Sequence, residues 1–127
     1  MSQAWAIKIV AVGDGVRFDP DVFGIDPGQP LKAKKGDLVC WNNQTPNTQV
    51  VVVMKAGSTD KSFVTDLIDS FKSSSPGYVI QDADIDKKDA SGDVVGIVRY
   101  NTTYKLSGAS PSEGPEMVDG TIMVVTS

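Results

Sequence analysis

The chain of 127 residues carries 12 basic and 16 acidic side chains, a formal net charge of −4, one cysteine and no histidine. Without imidazole it lacks the usual general base and the commonest transition-metal ligand, which excludes Ser-His-Asp and Cys-His catalysis in their standard forms and zinc sites built on histidine. A single cysteine likewise excludes an intramolecular disulfide, a cysteine-based zinc site and a single-chain iron–sulfur cluster.

The length suits one hydrophobic core, so residues 1–127 are read as a single domain. The longest basic runs are Lys34-Lys35 and Lys87-Lys88, too short to neutralise a phosphate backbone, and nucleic acid is not an expected partner. No apolar run approaches the roughly 18 residues of a membrane span, so no membrane insertion is expected. Residues Met1 to Val12 lack the features of a signal peptide. The compartment stays open: periplasmic or extracellular if the chain is the trimmed mature form of an exported protein, cytoplasmic otherwise.

Valine (17) and isoleucine (8) outnumber leucine (4), and aspartate outnumbers glutamate 14 to 2. Branching at Cβ favours strands, and the short carboxylate favours turns. Taken along the chain, strands are expected over Ala4 to Val12, ending at Gly13-Asp14-Gly15, then Val16 to Phe18 before Asp19-Pro20. Leu31 to Lys34 and Asp37 to Trp41 flank a turn at Lys35-Gly36-Asp37. Gln49 to Met54 is an apolar run expected to be covered on both faces. Tyr78 to Ile80, Val94 to Tyr100 and Gly120 to Thr126 complete seven or eight short strands, the pattern of a sandwich or barrel. One segment has another period: Thr59-Asp60 can cap a helix whose Phe63, Leu67 and Phe71 recur every four residues beside Val64 and Ile68. Asp14, Asp19, Asp21 and Asp26 are read as turn caps. Trp41 is expected to pack in a core strand, while Trp5 is placed near a terminus and an edge.

Three stretches together resemble the cupredoxins, the plastocyanin- and azurin-like blue copper proteins. They are Phe18-Asp19-Pro20 with Leu31 to Asn43, containing Gly36-Asp37-Leu38-Val39-Cys40-Trp41-Asn42-Asn43; Gly96 to Tyr100; and Met117 to Val124. The resemblance implies a Greek-key β-sandwich of about eight strands, here with one short helix. It also implies where copper ligands would fall. The first histidine position, eight residues after Trp41, is Gln49; the cysteine position, six after Gly96, is Thr102; the second histidine falls near Lys105; the axial methionine corresponds to Met117. A blue copper site needs imidazole and thiolate, and Gln49, Thr102 and Lys105 supply neither. Cys40 lies in the matching passage beside Trp41 and is read as a buried structural thiol.

Two further groups stand out. Asp82, Asp84, Asp86 and Asp93 occupy positions one, three, five and twelve of a calcium-loop spacing, although Lys87 stands where that loop needs glycine. Tyr100 and Tyr104, with Thr102 and Thr103 between them, could form an aromatic, hydroxyl-lined ligand surface. The expectation is therefore a copper-free cupredoxin-like domain acting as a binding or structural module for an unidentified protein or small polar ligand. It is expected to be neither an enzyme nor a cofactor carrier, and no residues are nominated as catalytic. A calcium-binding β-sandwich is the alternative.

Overall fold

A computed structural model describes residues 3–13, 15–22, 24, 26, 28–46, 48–54, 64–74, 77–85, 90–104 and 116–126. Eight strands account for most of them: β1 (Ala4–Val12), β2 (Gly15–Pro20), β3 (Leu31–Ala33), β4 (Leu38–Asn43), β5 (Val50–Met54), β6 (Tyr78–Val79), β7 (Val94–Tyr104) and β8 (Glu116–Val125). They form two mixed sheets of four strands, ordered β2-β1-β4-β6 and β3-β8-β7-β5. The pairs β1·β4 and β3·β8 are parallel, and the others antiparallel. The all-β reading holds.

Alternation along each strand explains why the sheets face one another. Ile7, Ile9, Val39, Trp41 and Tyr78 point inward from the first sheet, and Leu31, Val50, Val52, Val98, Tyr100, Tyr104, Ile122 and Val124 from the second, forming one buried cluster. Burying each such side chain contributes about 1.5–3 kcal/mol.

The Gly36-Asp37 turn is where the first sheet is tied together. Gly36 has φ 89°, a conformation that suits a residue without Cβ. Asp37 is buried, and its carboxylate accepts from the Gln3 backbone N–H (2.9 Å), the Trp5 indole Nε1 (2.8 Å) and the Lys34 backbone N–H (3.0 Å). Burial alone would push this carboxyl up; the bonds from Trp5, Lys34 and Gln3, with the charge of Lys34, outweigh it and hold Asp37 below its ordinary value. One acidic side chain thus closes its own turn and anchors the start of β1. Trp5 lies near the start of β1, paired with Val39 of β4, while the pairing of β1 with β2 begins two residues later at Ile7.

Two expectations need correction. First, β7 continues past Tyr100 to Tyr104 and β8 begins at Glu116, with pairing maintained from Tyr100↔Gly120 to Tyr104↔Glu116. Residues placed beyond the strand ends therefore lie inside the ladder. Second, the expected helix is absent over its described part. Residues 64–74 run extended and irregular, and the one helical turn among the described residues is a 3-10 turn at Asp82–Asp84; Thr59 to Phe63 lie outside the described residues.

The reason is long-range hydrogen bonding. Ile68 exchanges both backbone bonds with Val50, the Thr65 N–H donates to the Val52 carbonyl, and the Thr65 hydroxyl accepts the Val52 N–H. Further on, the Phe71 and Ser74 N–H groups donate to the Asn43 and Trp41 carbonyls, and the Ser74 hydroxyl accepts the Trp41 N–H. The segment thereby leaves the β5 edge of one sheet and joins β4 of the other. It covers an edge that would otherwise offer unpaired amides. Asn43, fully buried, donates to the Thr48 and Ile68 carbonyls and accepts from the Thr45 N–H and hydroxyl, which uses all its polar capacity. Phe71 takes φ 63°, unusual for a residue with Cβ, and its ring is 63% exposed rather than turned inward on a helix face.

Candidate functional site

Phe18, Trp41 and Tyr100, one aromatic residue from each of three strands, meet at the core. The Tyr100 ring stands edge-on to Phe18 (centroids 5.4 Å, planes 71°) and to Trp41 (5.0 Å, 69°). Edge-to-face contacts of this kind are worth about 0.5–1.5 kcal/mol beyond the area they bury. Opposite Tyr100 in the ladder is Gly120, and a Cβ there would lie 2.3 Å from Tyr100 Cζ. Burial drives the Tyr100 hydroxyl pKa well up, with the Trp41 indole hydrogen bond offsetting part of the effect, so it stays a neutral phenol. Phe18, Trp41, Tyr100 and Gly120 thus form one packing unit.

The positions matching copper ligands do not converge. Gln49 is exposed, and its Nε2 donates to Asp69 Oδ1 at 2.7 Å. Thr102 is 0% exposed and faces the core. Met117 is 64% exposed and pairs with Thr103, so strand alternation sends its side chain to the face opposite that of Thr102. Lys105 lies outside the described residues. Tyr100 and Tyr104 are both core residues, so the ligand surface expected from their hydroxyls does not form there. Cys40 is half-buried rather than sealed in, with its Sγ beneath Gly77, 2.9 Å from where a Cβ would stand.

The Thr102 hydroxyl is buried without a hydrogen-bond partner. An unsatisfied buried polar group costs about 1–3 kcal/mol, while the branched shape fits between Val52 and Val118 on the neighbouring strands. Thr102→Val should therefore raise the melting temperature, corresponding to about 1 kcal/mol, when followed by thermal circular dichroism; a fall would show that the hydroxyl has a stabilising partner.

Asp82 and Asp84 of the acidic run have other partners. Asp82 Oδ1 lies 2.7 Å from Lys35 Nζ at the surface. Asp84 is buried, accepting the Tyr78 hydroxyl at both oxygens (2.9 and 2.8 Å) and the Gln81 N–H (2.8 Å). Its carbonyl presses on β7, where a Cβ on Gly96 would come within 2.0 Å of it. Asp93 is exposed, and its carbonyl accepts from Thr126; Asp86 lies outside the described residues. Asp82 and Asp84 hold a 3-10 turn against β7 instead of starting a calcium ring. Among the described residues, no three of His, Cys, Asp or Glu are grouped to hold a metal, and no helix is long and apolar enough to cross a membrane.

A recess of about 120 Å³ opens on the opposite side of the sandwich from residues 64–74, between β2 and the β3·β8 pair. Ile7, Phe18, Leu31 and Tyr100 form apolar walls, with Pro20, Gly28 to Pro30 and Asp119 to Thr121 around them. Its rim is fixed by Asp19, whose Oδ1 accepts the Gly28 N–H (2.9 Å) while both carboxylate oxygens take the Arg17 guanidinium (2.8 and 3.0 Å). The Arg17 bond holds the Asp19 carboxyl below its ordinary value; burial opposes it, and the Gly28 bond and the charges of Arg17 and Lys8 add to the lowering. Asp19, expected as a turn cap, lies within β2 opposite Lys8, and its carboxylate instead holds the loop at Gly28. The Pro30-Leu31 junction was the available signal for this recess, since proline cannot donate to a ladder.

No protein-family model matches the chain, and no curated protein matches it.

Proposed function

We propose that the chain is a copper-free, cupredoxin-like Greek-key domain that works as a binding or structural module and not as an electron carrier. One observation carries this reading. The motif residues Phe18, Asp37, Trp41, Asn43, Tyr100 and Gly120 are all engaged in holding strands and sheets together, whereas Gln49, Thr102 and Met117 point to three different surroundings and bring no imidazole or thiolate. A scaffold kept in this way, with its ligand positions given to a surface amide, a core hydroxyl and an exposed thioether, fits a role in recognition. The commitments of Asp82 and Asp84 disfavour the calcium alternative.

The test is a Cu(II) titration followed by visible absorption and electron paramagnetic resonance. The expected outcome is the spectrum of weakly bound surface copper. An intense thiolate charge-transfer band with narrow hyperfine splitting would overturn the proposal, because it requires the Cys–His coordination of a blue copper site.

A further inference from the structure

We infer that the outward side of residues 64–72 is a surface through which the chain pairs weakly with a second copy of itself, with Leu67 and Phe71 as the apolar anchors. The starting point is a turn. The Lys72 N–H donates to the Asp69 carbonyl at 3.0 Å, which closes a four-residue turn with Phe71 in its third place. That place takes φ 63°, a left-handed conformation that glycine adopts freely and that strains a residue with Cβ. Burying the ring would offset the strain, yet the Phe71 ring is 63% exposed. Leu67 is 62% exposed and Val64 50%. Seven large apolar side chains are exposed among the described residues, and these three fall within eight positions of one segment. Thr65 and Ile68 of the same segment are buried and bonded to β5, so the strip is held in place while its apolar outward side is left uncovered. Strain and exposure meet at Phe71, and neither contributes to the stability of one copy; a contact made outside that copy accounts for both.

The charges on the strip select the occupant. Asp66 and Lys72 are exposed, and among the described residues neither stands in an ion pair. Asp66 and Leu67 precede Asp69 by three and two residues, and Phe71 and Lys72 follow it by two and three. A two-fold contact uses the same surface twice. With the two strips running in opposite directions about Asp69, Leu67 of each copy meets the partner's Phe71, and Asp66 meets the partner's Lys72. Strips running the same way would set Asp66 against Asp66 and Lys72 against Lys72, which like charges oppose. Asp69 falls at the axis, where its Oδ1 already takes the Gln49 Nε2.

Size sets the strength. A few exposed side chains and their flanks cover far less than the roughly 800 Å² per partner of a stable complex, so the pair is transient. A Kd on the order of 0.1–1 mM is expected. The contact does not depend on the family of the chain, and the copper titration leaves it untouched.

The test is dilution of the intact chain, followed by sedimentation equilibrium and ¹⁵N amide shifts between roughly 20 µM and 2 mM, a range that brackets such a Kd. Expected are a mass rising toward that of a dimer, shifts confined to residues 64–72 and their neighbours, and, in a mixture of ¹³C-labelled and unlabelled chains, nuclear Overhauser contacts from the Leu67 methyls to the Phe71 ring. Phe71→Gly should weaken association by about tenfold or more while raising the melting temperature by a few degrees, because it relieves the turn. A ring that merely packed within its own chain would give the opposite sign in stability. Asp66→Lys and Lys72→Glu should each weaken association, and the two together should restore it. A monomer throughout the range, shifts centred on another face, association that survives Phe71→Gly, or no restoration by the double charge exchange would each overturn the assignment.

Discussion

Gly120→Ala should be among the most damaging single substitutions in this chain, although it adds one methyl group. The new Cβ would stand 2.3 Å from Tyr100 Cζ and 2.5 Å from both Tyr100 Cε2 and the hydroxyl oxygen, and the ring cannot swing away because Phe18 and Trp41 hold its other edges. Overpacking a fixed core site costs about 1–3 kcal/mol and sometimes more. Against a total stability of about 5–15 kcal/mol for a domain of this kind, a loss of about 3 kcal/mol or more is expected by urea denaturation. Coupling separates this mechanism from a general intolerance of β8. Tyr100→Leu removes the obstructing ring at a cost of its own, and the double variant should be more stable than the sum of the two single losses by about 1 kcal/mol or more. Additive losses would place the damage elsewhere.

Asp37→Asn should cost about 3 kcal/mol and shift the acid stability of the protein. Three donors converge on the carboxylate: two backbone amides and the Trp5 indole. An asparagine side chain has one oxygen and turns an NH₂ toward donors that need an acceptor, and hydrogen bonds to a charged group are worth about 1.5–3 kcal/mol each. The pH dependence follows from the lowered carboxyl. A folded-state value below the ordinary 3.8 means that the stabilisation is fully present above that pH and is lost as the pH falls toward the depressed folded value. Asp19, lowered by Arg17 and Gly28, acts in the same direction. Melting temperatures measured between pH 6 and pH 2 should therefore fall steeply below about pH 4 for the wild type. The fall should be shallower for Asp37→Asn, starting from a lower plateau. A variant curve parallel to that of the wild type would remove Asp37 from the account.

The strands were legible because their cause is local. Val50 to Met54, Val94 to Tyr100 and the alternation of Ile7 and Ile9 belong to β-branched runs bounded by turn residues, and such runs have few other uses. Residues 64–71 were misread for the opposite reason. Phe63, Leu67 and Phe71 are spaced for a helix, but Thr65 and Ile68 find their partners at Val52 and Val50, and those bonds exist only once β5 is in place. The end of β7 was set too early, at Tyr100, and the start of β8 too late, at Gly120, because the polar stretch between them has no apolar run to mark a strand, yet pairing continues from Asn101↔Asp119 to Tyr104↔Glu116. At the candidate site, it was visible in the identities of Gln49 and Thr102 that neither supplies an imidazole or a thiolate. That Tyr100 and Tyr104 face inward was not, because it depends on a strand running through positions expected to be loop. The recess had one local sign in Pro30, which cannot donate to a ladder, but the turn of Gly28 toward Asp19 beside it depends on the fold.

The order of strands in the second sheet has a bearing on how the protein is made. Strand β8 lies between β3 and β7, and among the described residues β3 has no other strand partner, so the sheet is completed only once β8 has left the ribosome. Until then a nascent chain holding β1 through β7 carries the apolar faces of Leu31, Val50, Val98 and Tyr100 without Ile122 and Val124 to cover them. Distant pairings of this kind slow folding and expose aggregation-prone strands meanwhile. Chains stalled before Glu116 should be substrates for chaperones and proteases, and β8, synthesised after the strands it joins, decides whether β3 keeps its place.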